Sequence, residues 1–151
     1  MSVRLTETPF AVERELAAFI AALAGEGAVA NFVGLARDRG ADGERIERLT
    51  LEHHPRLTQR SLEEIAAAAR ARFAITSLRI VHRHGAILPG EAIVFVAAAA
   101  MHRRAAFDAA DYMMDRLKTD ALFWKREETA SGSRWIEPRD DDYVARERWS
   151  D

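Results

Sequence analysis

The stretch that decides the fold runs from residue 75 to residue 101 and reads ITSLRIVHRHGAILPGEAIVFVAAAAM. Its two apolar, β-rich segments, 75–84 and 92–101, flank Leu88-Pro89-Gly90-Glu91, which has Pro and Gly at the positions that a type II turn prefers. We therefore predict an antiparallel pair of strands. Because the second segment is apolar on both faces, we expect it to lie in the centre of a sheet.

Helical and extended patterns alternate on both sides of this pair. Thr8 and Pro9 predict the N-cap and first residue of a helix that stops near Gly25. Apolar spacing predicts two more helices and four more strands. The helices cover 55–73 and 103–119, and the strands cover 28–36 (predicted to be buried), 46–53, 121–125 and 134–137. This order predicts one α+β domain, residues 1–151, with a mixed or antiparallel sheet.

The charged tail after Pro138 keeps Tyr143, Val144 and Trp149. Apolar and aromatic side chains of this size are usually covered in a folded chain. We therefore expect the tail to pack on the rest of the protein.

The composition excludes several classes of function. A net charge of -2 argues against a nucleic-acid-binding surface over the whole chain. Without cysteine, disulfides, thiolate metal sites and thiol nucleophiles are excluded. No apolar stretch approaches the roughly 20 residues that a membrane helix needs, and the first ten residues lack the apolar segment of a secretory signal. We therefore expect a cytoplasmic protein that does not contact membranes.

Lysine is rare in this chain, and its two positions are candidates for catalysis. Of 22 basic residues, only Lys118 and Lys125 are lysine. An amine can lose its proton and act as a nucleophile or base, whereas a guanidinium stays charged. Two amines brought together lower each other's proton affinity, which activates a lysine. The alternative is two surface lysines, with Lys118 serving as an ordinary partner of a helix dipole.

A second candidate site is His102-Arg103-Arg104, where a predicted helix begins. Unpaired N–H groups and the positive end of the helix dipole attract anions there. Since cations cost stability at this end, binding of phosphate or carboxylate explains them better than chance does. His82 and His84 share one face of a strand, but no third ligand follows at a recognisable spacing. We therefore expect these two histidines to be structural and predict no metal site.

Several motifs together resemble the large subunit of molybdopterin synthase, the MoaE family. They occur in the family's order and extend over nearly the whole chain. The most specific are Met114-Asp115-Arg116-Leu117-Lys118 and Phe123-Trp124-Lys125-Arg126-Glu127. The others are FVGLAR at 32–37, LEHHP at 51–55, HRHG at 82–85 with PGE at 89–91, HR at 102–103 and RW at 134–135.

The resemblance implies both a fold and an activity. The fold is an α/β-hammerhead-type domain of the α+β class with an additional small antiparallel β-sheet. The activity transfers sulfur from the C-terminal Gly-Gly thiocarboxylate of a small ubiquitin-like, MoaD-like carrier subunit to cyclic pyranopterin monophosphate, forming the dithiolene of molybdopterin. The resemblance also implies a homodimer of this chain within a heterotetramer, and it implies no metal or organic cofactor.

The resemblance also assigns roles to residues. Lys118 and Lys125 match the family's two catalytic lysines, with Lys118 contacting the incoming glycine carbonyl and Lys125 assisting it. The matching substrate-binding positions comprise anion-binding residues, pocket-lining residues and two residues next to Lys125. They are Arg37, His102, Arg103 and Arg139, then Phe32 and Met114, then Arg126 and Glu127.

Two other classes of function remain open. A non-catalytic docking module for a ubiquitin-like protein would need no amines, and a phosphate-ester or Schiff-base enzyme would turn over without a protein partner. Arg103 and Lys118 are fifteen residues apart on one predicted helix, which separates them by roughly 22 Å at about 1.5 Å per residue. Since one small pterin cannot bridge that distance, we predict a site shared between two copies of the chain.

Overall fold

The computed structural model describes residues 2–150. Along the chain, the elements are β1 (Ser2–Thr6), α1 (Val12–Ala21), β2 (Ala28–Leu35), β3 (Ile46–His53), α2 (Pro55–Arg72), β4 (Ile75–Arg83), β5 (Gly85–Ile87), β6 (Ala92–Ala100), α3 (Arg103–Thr119), β7 (Phe123–Thr129), β8 (Gly132–Ile136) and α4 (Asp140–Glu147). Within the described range the strands form two four-stranded sheets, ordered β1-β4-β6-β2 and β5-β3-β7-β8. The α+β class is confirmed, and the second sheet is antiparallel throughout, as the expected additional sheet should be.

Strand β6 lies inside the first sheet, as predicted. It pairs antiparallel with β4 on one side and with β2 on the other. Because successive side chains point to opposite faces, Phe95 and its alternate neighbours pack against Phe19 of α1. Val96 and its alternate neighbours pack against α2 and α3, where they meet Leu62 and Met113. The double-sided apolar pattern therefore reflects a strand covered by helices on both faces.

The predicted turn at residues 88–91 is confirmed. Gly90 has φ +86°, a region that glycine enters without strain, and the Glu91 amide donates to the Leu88 carbonyl at 3.1 Å. The turn does not join β4 directly to β6, however. The short strand β5 follows β4 and pairs with β3 of the other sheet. The chain therefore passes from the first sheet to the second at β5, immediately before the turn.

Helix α1 begins later than predicted. It starts at Val12, with Ala11 at the N-cap, and the Ala11 carbonyl accepts hydrogen bonds from the amides of Arg14 and Glu15. The Thr8 hydroxyl lies instead 3.0 Å from the Thr6 hydroxyl at the end of β1. The prediction that Thr8 caps the helix was therefore wrong, because Thr8 belongs to the turn that leaves β1.

The prediction that the strand at 28–36 is buried was also wrong. Strand β2 lies at the edge of its sheet, with β6 on one side and no described strand on the other. Phe32 is 44% exposed and Leu35 is 58% exposed, whereas Ala30 is buried. An apolar run predicts extended backbone here but does not reveal that one face and one edge are left uncovered.

The charged tail packs on α3, as expected, but it does so through Trp149, whereas Tyr143 and Val144 are exposed. The Trp149 ring meets the rings of Phe73 and Tyr112 edge-on at 5.7 and 5.5 Å. Its indole N–H donates to the Asp115 carboxylate at 2.6 Å, and Arg146 of α4 pairs with Asp120 at 3.1 Å. These contacts hold α4 beside the C-terminal end of α3.

Candidate functional site

Both lysines lie near the junction between α3 and the second sheet. Lys118 is exposed in the last turn of α3, and Lys125 is half-buried in β7. The connection between the two elements is only three residues long, from Asp120 to Leu122. The helix end and the strand therefore bring the two amines near enough for the charge of Lys118 to lower the pKa of Lys125.

The electrostatics of Lys125 show which charged groups surround it. Burial lowers the pKa of Lys125 below its ordinary value, and the neighbouring positive charges of Lys118 and Arg37 lower it further. The carboxylates of Glu127 and Asp142 act in the opposite direction. Lys118, Lys125 and Arg37 thus form one group of cations, which we call the amine cluster. A lowered pKa increases the fraction of neutral amine available as a base or hydrogen-bond partner.

Arg37 lies two residues after the end of β2 and lines an open depression of about 500 Å³. One wall of this depression is the chain from Leu35 to Arg39, and the other is the turn at Pro89 and Gly90. The Arg37 side chain is exposed, so its guanidinium is available to an anion. Because the depression is open to solvent, a ligand can enter it.

His82 belongs to the same region, although the sequence gave it only a structural role. It is 8% exposed and stacks on Phe123 with 4.1 Å between ring centroids. Its Nδ1 lies 2.8 Å from the Arg83 carbonyl, so the neutral ring donates its Nδ1 proton there. Burial lowers the pKa of His82 to about 4, and the charge of Lys118 adds to this effect. His82 is therefore a neutral group beside Lys118, a proximity that strand spacing alone could not reveal.

The start of helix α4, where Arg139 lies, is near the amine cluster through Asp142. Arg139 is the N-cap residue, and its amide donates to Asp142 at 2.8 Å. Asp142 in turn is near enough to raise the pKa of Lys125 against the larger effect of burial. The Arg139 side chain is 70% exposed and pairs with Asp141 at 3.0 Å. It can exchange that partner for a ligand because an exposed ion pair is weak.

The two residues after Lys125 have other surroundings. Arg126 points to the opposite face of the sheet from Lys125, since neighbouring strand residues alternate. It lies over the Trp135 ring at 5.5 Å and pairs with Glu52 at 3.6 Å. Glu127 is buried and accepts a hydrogen bond from Arg134 at 3.1 Å. Within one copy of the chain, Arg126 therefore does not join the amine cluster.

The apolar candidates also occupy different places. Met114 is half-buried, four residues before Lys118 on α3, so the two share one face of the helix. Phe32 is exposed on the edge strand β2, five residues before Arg37. Met114 is thus placed to line the region of Lys118, and Phe32 lies on the strand that leads to Arg37.

His102 and Arg103 lie at the other end of α3. His102 is the N-cap residue and makes no side-chain cap hydrogen bond, and both side chains are exposed. The helix is continuous from Arg103 to Thr119, which keeps Arg103 roughly 22 Å from Lys118 along the axis at about 1.5 Å per residue. One copy of the chain therefore does not bring these two residues into contact with the amine cluster.

The described residues form neither a metal-ligand grouping nor a helix able to span a membrane. Among residues 2–150, no group of three or more histidine or acidic side chains is arranged to hold a metal ion. The rings of His53 and His84 lie 3.9 Å apart without a further ligand of that kind. In the same part of the chain, no helix is long and apolar enough to cross a membrane.

Two amines near an exposed arginine have the chemistry needed for proton transfer or nucleophilic attack on an anionic substrate. The family model described as MoaE protein matches residues 5–120, and the chain belongs to this family. The molybdopterin synthase catalytic subunit of Pseudomonas aeruginosa is 46% identical over 151 residues, which cover 100% of both chains. That of Caulobacter vibrioides is 50% identical over 150 residues, 99% of this chain and 97% of the other. The solved structure of the molybdopterin biosynthesis MoaE protein from Burkholderia ambifaria superposes with a TM-score of 0.84 at 41% identity, covering 99% of this chain and 98% of that one.

Proposed function

We propose that this chain is the catalytic subunit of a molybdopterin synthase. It transfers sulfur from the C-terminal thiocarboxylate of a small ubiquitin-like carrier to cyclic pyranopterin monophosphate, in the biosynthesis of the molybdenum cofactor. Full-length relatives at 46% and 50% identity carry this name. The observation that carries the proposal is the amine cluster, in which Lys118 and Arg37 are near enough to Lys125 for their charges to lower its pKa.

Lys118 is the central catalytic residue in this proposal. Its exposed amine contacts the carbonyl of the carrier's terminal glycine, where negative charge develops as sulfur leaves. The thiocarboxylate sulfur attacks a pterin carbon, where a C–O bond breaks and the oxygen leaves with a proton. Water then adds to the glycine carbonyl carbon, the carbon–sulfur bond of the carrier breaks, the sulfur stays on the pterin and the carrier ends as a carboxylate. Lys125 assists by stabilising the developing charge, and its lowered pKa lets it give and take a proton near neutral pH more readily than a free lysine.

The remaining candidates bind and orient the substrate. Arg37 and Arg139 hold the phosphate of the pterin next to the amine cluster. Met114 lines the pocket beside Lys118, and Phe32 extends this surface along β2. Arg126 and Glu127 lie on the strand that carries Lys125. The negative charge of Glu127 acts against the lowering of the Lys125 pKa, and Arg126 acts from the other face of the sheet.

The proposed assembly explains the distance between the two ends of α3. A homodimer within a heterotetramer lets His102 and Arg103 of one copy face Lys118 of the other across a two-fold axis. Each site would then combine cations from two copies around one phosphate. We also propose that residues 1–151 act as one domain, since α4 packs on α3, and that the enzyme works in the cytoplasm.

The testing experiment measures turnover of cyclic pyranopterin monophosphate with three forms of the carrier. We expect product with the thiocarboxylated carrier and none with the carboxylate form or without a carrier. Product without a carrier would indicate an unrelated phosphate-ester or Schiff-base enzyme. Carrier binding without product would indicate a docking module.

Lys118→Arg tests the role of the amine itself. The positive charge survives but the removable proton does not, so we expect product formation to fall by at least about 100-fold, the usual contribution of a positioned proton-transfer group. Circular dichroism and thermal unfolding should match the unmodified protein, because the side chain is exposed. Near-normal turnover of the folded variant with saturating carrier would remove Lys118 from the mechanism.

A further inference from the structure

The buried guanidinium of Arg83 has no place in the proposed chemistry. Arg83 ends β4 and is 2% exposed. It donates to the Glu91 carboxylate at 3.2 Å and to the Ala86 carbonyl at 2.9 Å, while its Nε is buried without a hydrogen-bond partner. Burying a guanidinium with an unpaired N–H group costs stability. Because the ion pair of Arg83 and Glu91 costs stability, we look for its role in the position of the groups that it contacts.

Glu91 connects this pair to the turn at residues 88–91. Its second carboxylate oxygen accepts a hydrogen bond from the Leu88 amide at 2.7 Å. Its backbone carbonyl accepts from the Ala36 amide at 2.9 Å, and the Gly90 amide donates to the Ala36 carbonyl at 2.8 Å. Both backbone groups of Ala36 are thus held by the turn that Glu91 fixes.

These two hydrogen bonds matter because regular strand pairing is interrupted just before them. The pairing of β2 with β6 shifts register between Gly34 and Leu35. Ala36 is buried, and the next residue is Arg37, which lines the depression opposite the same turn. The turn therefore anchors the chain at the point where Arg37 enters the site.

We propose that Arg83 and Glu91 are positioning residues for Arg37. The buried ion pair fixes the turn, the turn fixes Ala36, and Ala36 fixes the direction in which the Arg37 guanidinium leaves the chain. This inference rests on the proposed function, in which Arg37 binds the phosphate of the pterin. It adds that the affinity for that phosphate depends on two residues that never touch it.

Hydrogen exchange tests the positioning without reference to activity. In Glu91→Gln the uncharged amide weakens both the bond to Arg83 and the bond to the Leu88 amide, so the Ala36 amide should exchange about tenfold faster. The matched control is Glu15→Gln, which also breaks a partly covered ion pair, since Glu15 contacts Arg79 at 3.4 Å. Exchange of residues 35–39 should be unchanged in the control. Equal exchange in Glu91→Gln and the unmodified protein would overturn the inference.

Steady-state kinetics separate positioning from a general loss of structure. Glu91→Gln should raise KM for cyclic pyranopterin monophosphate about fivefold and leave kcat within about twofold. In an Arg37→Ala background the same substitution should have no further effect on KM, because the group that it positions is absent. An equal further loss in both backgrounds would mean that Glu91 acts on the fold and not through Arg37.

Two further outcomes keep the inference and the proposed function apart. If Arg37→Ala leaves KM unchanged while Glu91→Gln still speeds exchange at Ala36, the phosphate-binding role of Arg37 fails and the positioning stands. If Glu91→Gln does not fold, Arg83→Lys replaces it. That variant keeps the charge but lacks the planar fork that reaches both Glu91 and the Ala86 carbonyl. It should show the same faster exchange, and normal exchange would overturn the inference.

Discussion

Replacing His82 with glutamine should make the free energy of unfolding fall less steeply as the pH is lowered from 7 to 5. The imidazole is buried against Phe123, and its Nδ1 faces the Arg83 carbonyl. A second proton would therefore place a positive charge in a covered site close to Lys118. Burial and this charge lower the pKa of His82 from 6.5 to about 4. Glutamine occupies the same site without titrating, so the penalty of protonation disappears.

The size and sign of the effect follow from the two pKa values. Between pH 6.5 and about 4, the unfolded chain binds a proton at His82 that the folded chain does not. The free energy of unfolding therefore falls as the pH falls through this window. The full effect of His82, reached below the folded-state pKa, is about 3 kcal/mol. About 2 kcal/mol of it should appear between pH 7 and pH 5.

Urea unfolding at intervals from pH 7 to pH 5 measures this dependence. Several carboxyl groups, Asp120 among them, also have a lowered pKa, so the comparison concerns the difference in slope between variant and unmodified protein. His102→Gln is the control, because His102 is exposed and makes no side-chain cap hydrogen bond. A His82→Gln profile parallel to that of the unmodified protein would show that the buried imidazole does not resist protonation.

Four other outcomes are expected, three at the site and one in the contacts of α4 with α3. Lys125→Arg should reduce turnover less than Lys118→Arg does, since a fixed cation at position 125 still stabilises the developing charge. Turnover assays of the two variants at saturating carrier test this. A carrier lacking its Gly-Gly tail should bind at least about tenfold more weakly in calorimetry, because that tail is the part proposed to reach Lys118. Equal affinity of the two carriers would contradict the proposal that the tail reaches Lys118. Hybrid dimers of Lys118→Ala and Arg103→Ala chains should recover up to about half the activity per dimer, and verified hybrids without recovery would exclude a shared site. Trp149→Phe should cost about 1 kcal/mol of unfolding free energy through the lost bond to Asp115, measured by urea unfolding.

Local chemistry made most of the elements predictable. The long helix from Arg103 to Thr119 and the strand from Ile46 to His53 have the bounds that apolar spacing predicts. Pro89 and Gly90 identified the turn because each fixes a backbone angle that few residues adopt. The strands that escaped prediction depend on partners distant in sequence. β5 has only three residues, and β1 is defined by parallel pairing with β4 across about seventy residues of chain.

The sequence provided candidate residues for the site but not their arrangement. The scarcity of lysine identified Lys118 and Lys125, and amine chemistry gave the reason to favour them. The sequence contained no signal that His82 lies beside Lys118, because nothing in strand periodicity relates β4 to the end of α3. The same limit applies to Lys125 and Arg126. Neighbouring strand residues point to opposite faces, but the sequence does not show which face of β7 lies towards Lys118.

The three-residue connection between α3 and β7 determines how close the two amines lie. Asp120, the C-cap residue of α3, is held by Arg116 of the same helix and by Arg146 of α4. At the other end, the Leu122 carbonyl accepts a hydrogen bond at 2.6 Å from Thr58, whose side chain is fully buried in α2. A helix end and a strand start fixed in this way leave the chain between them little freedom. The closeness of Lys118 to Lys125, which adds to the effect of burial in lowering the pKa of Lys125, is therefore a consequence of contacts made by residues that carry no catalytic group.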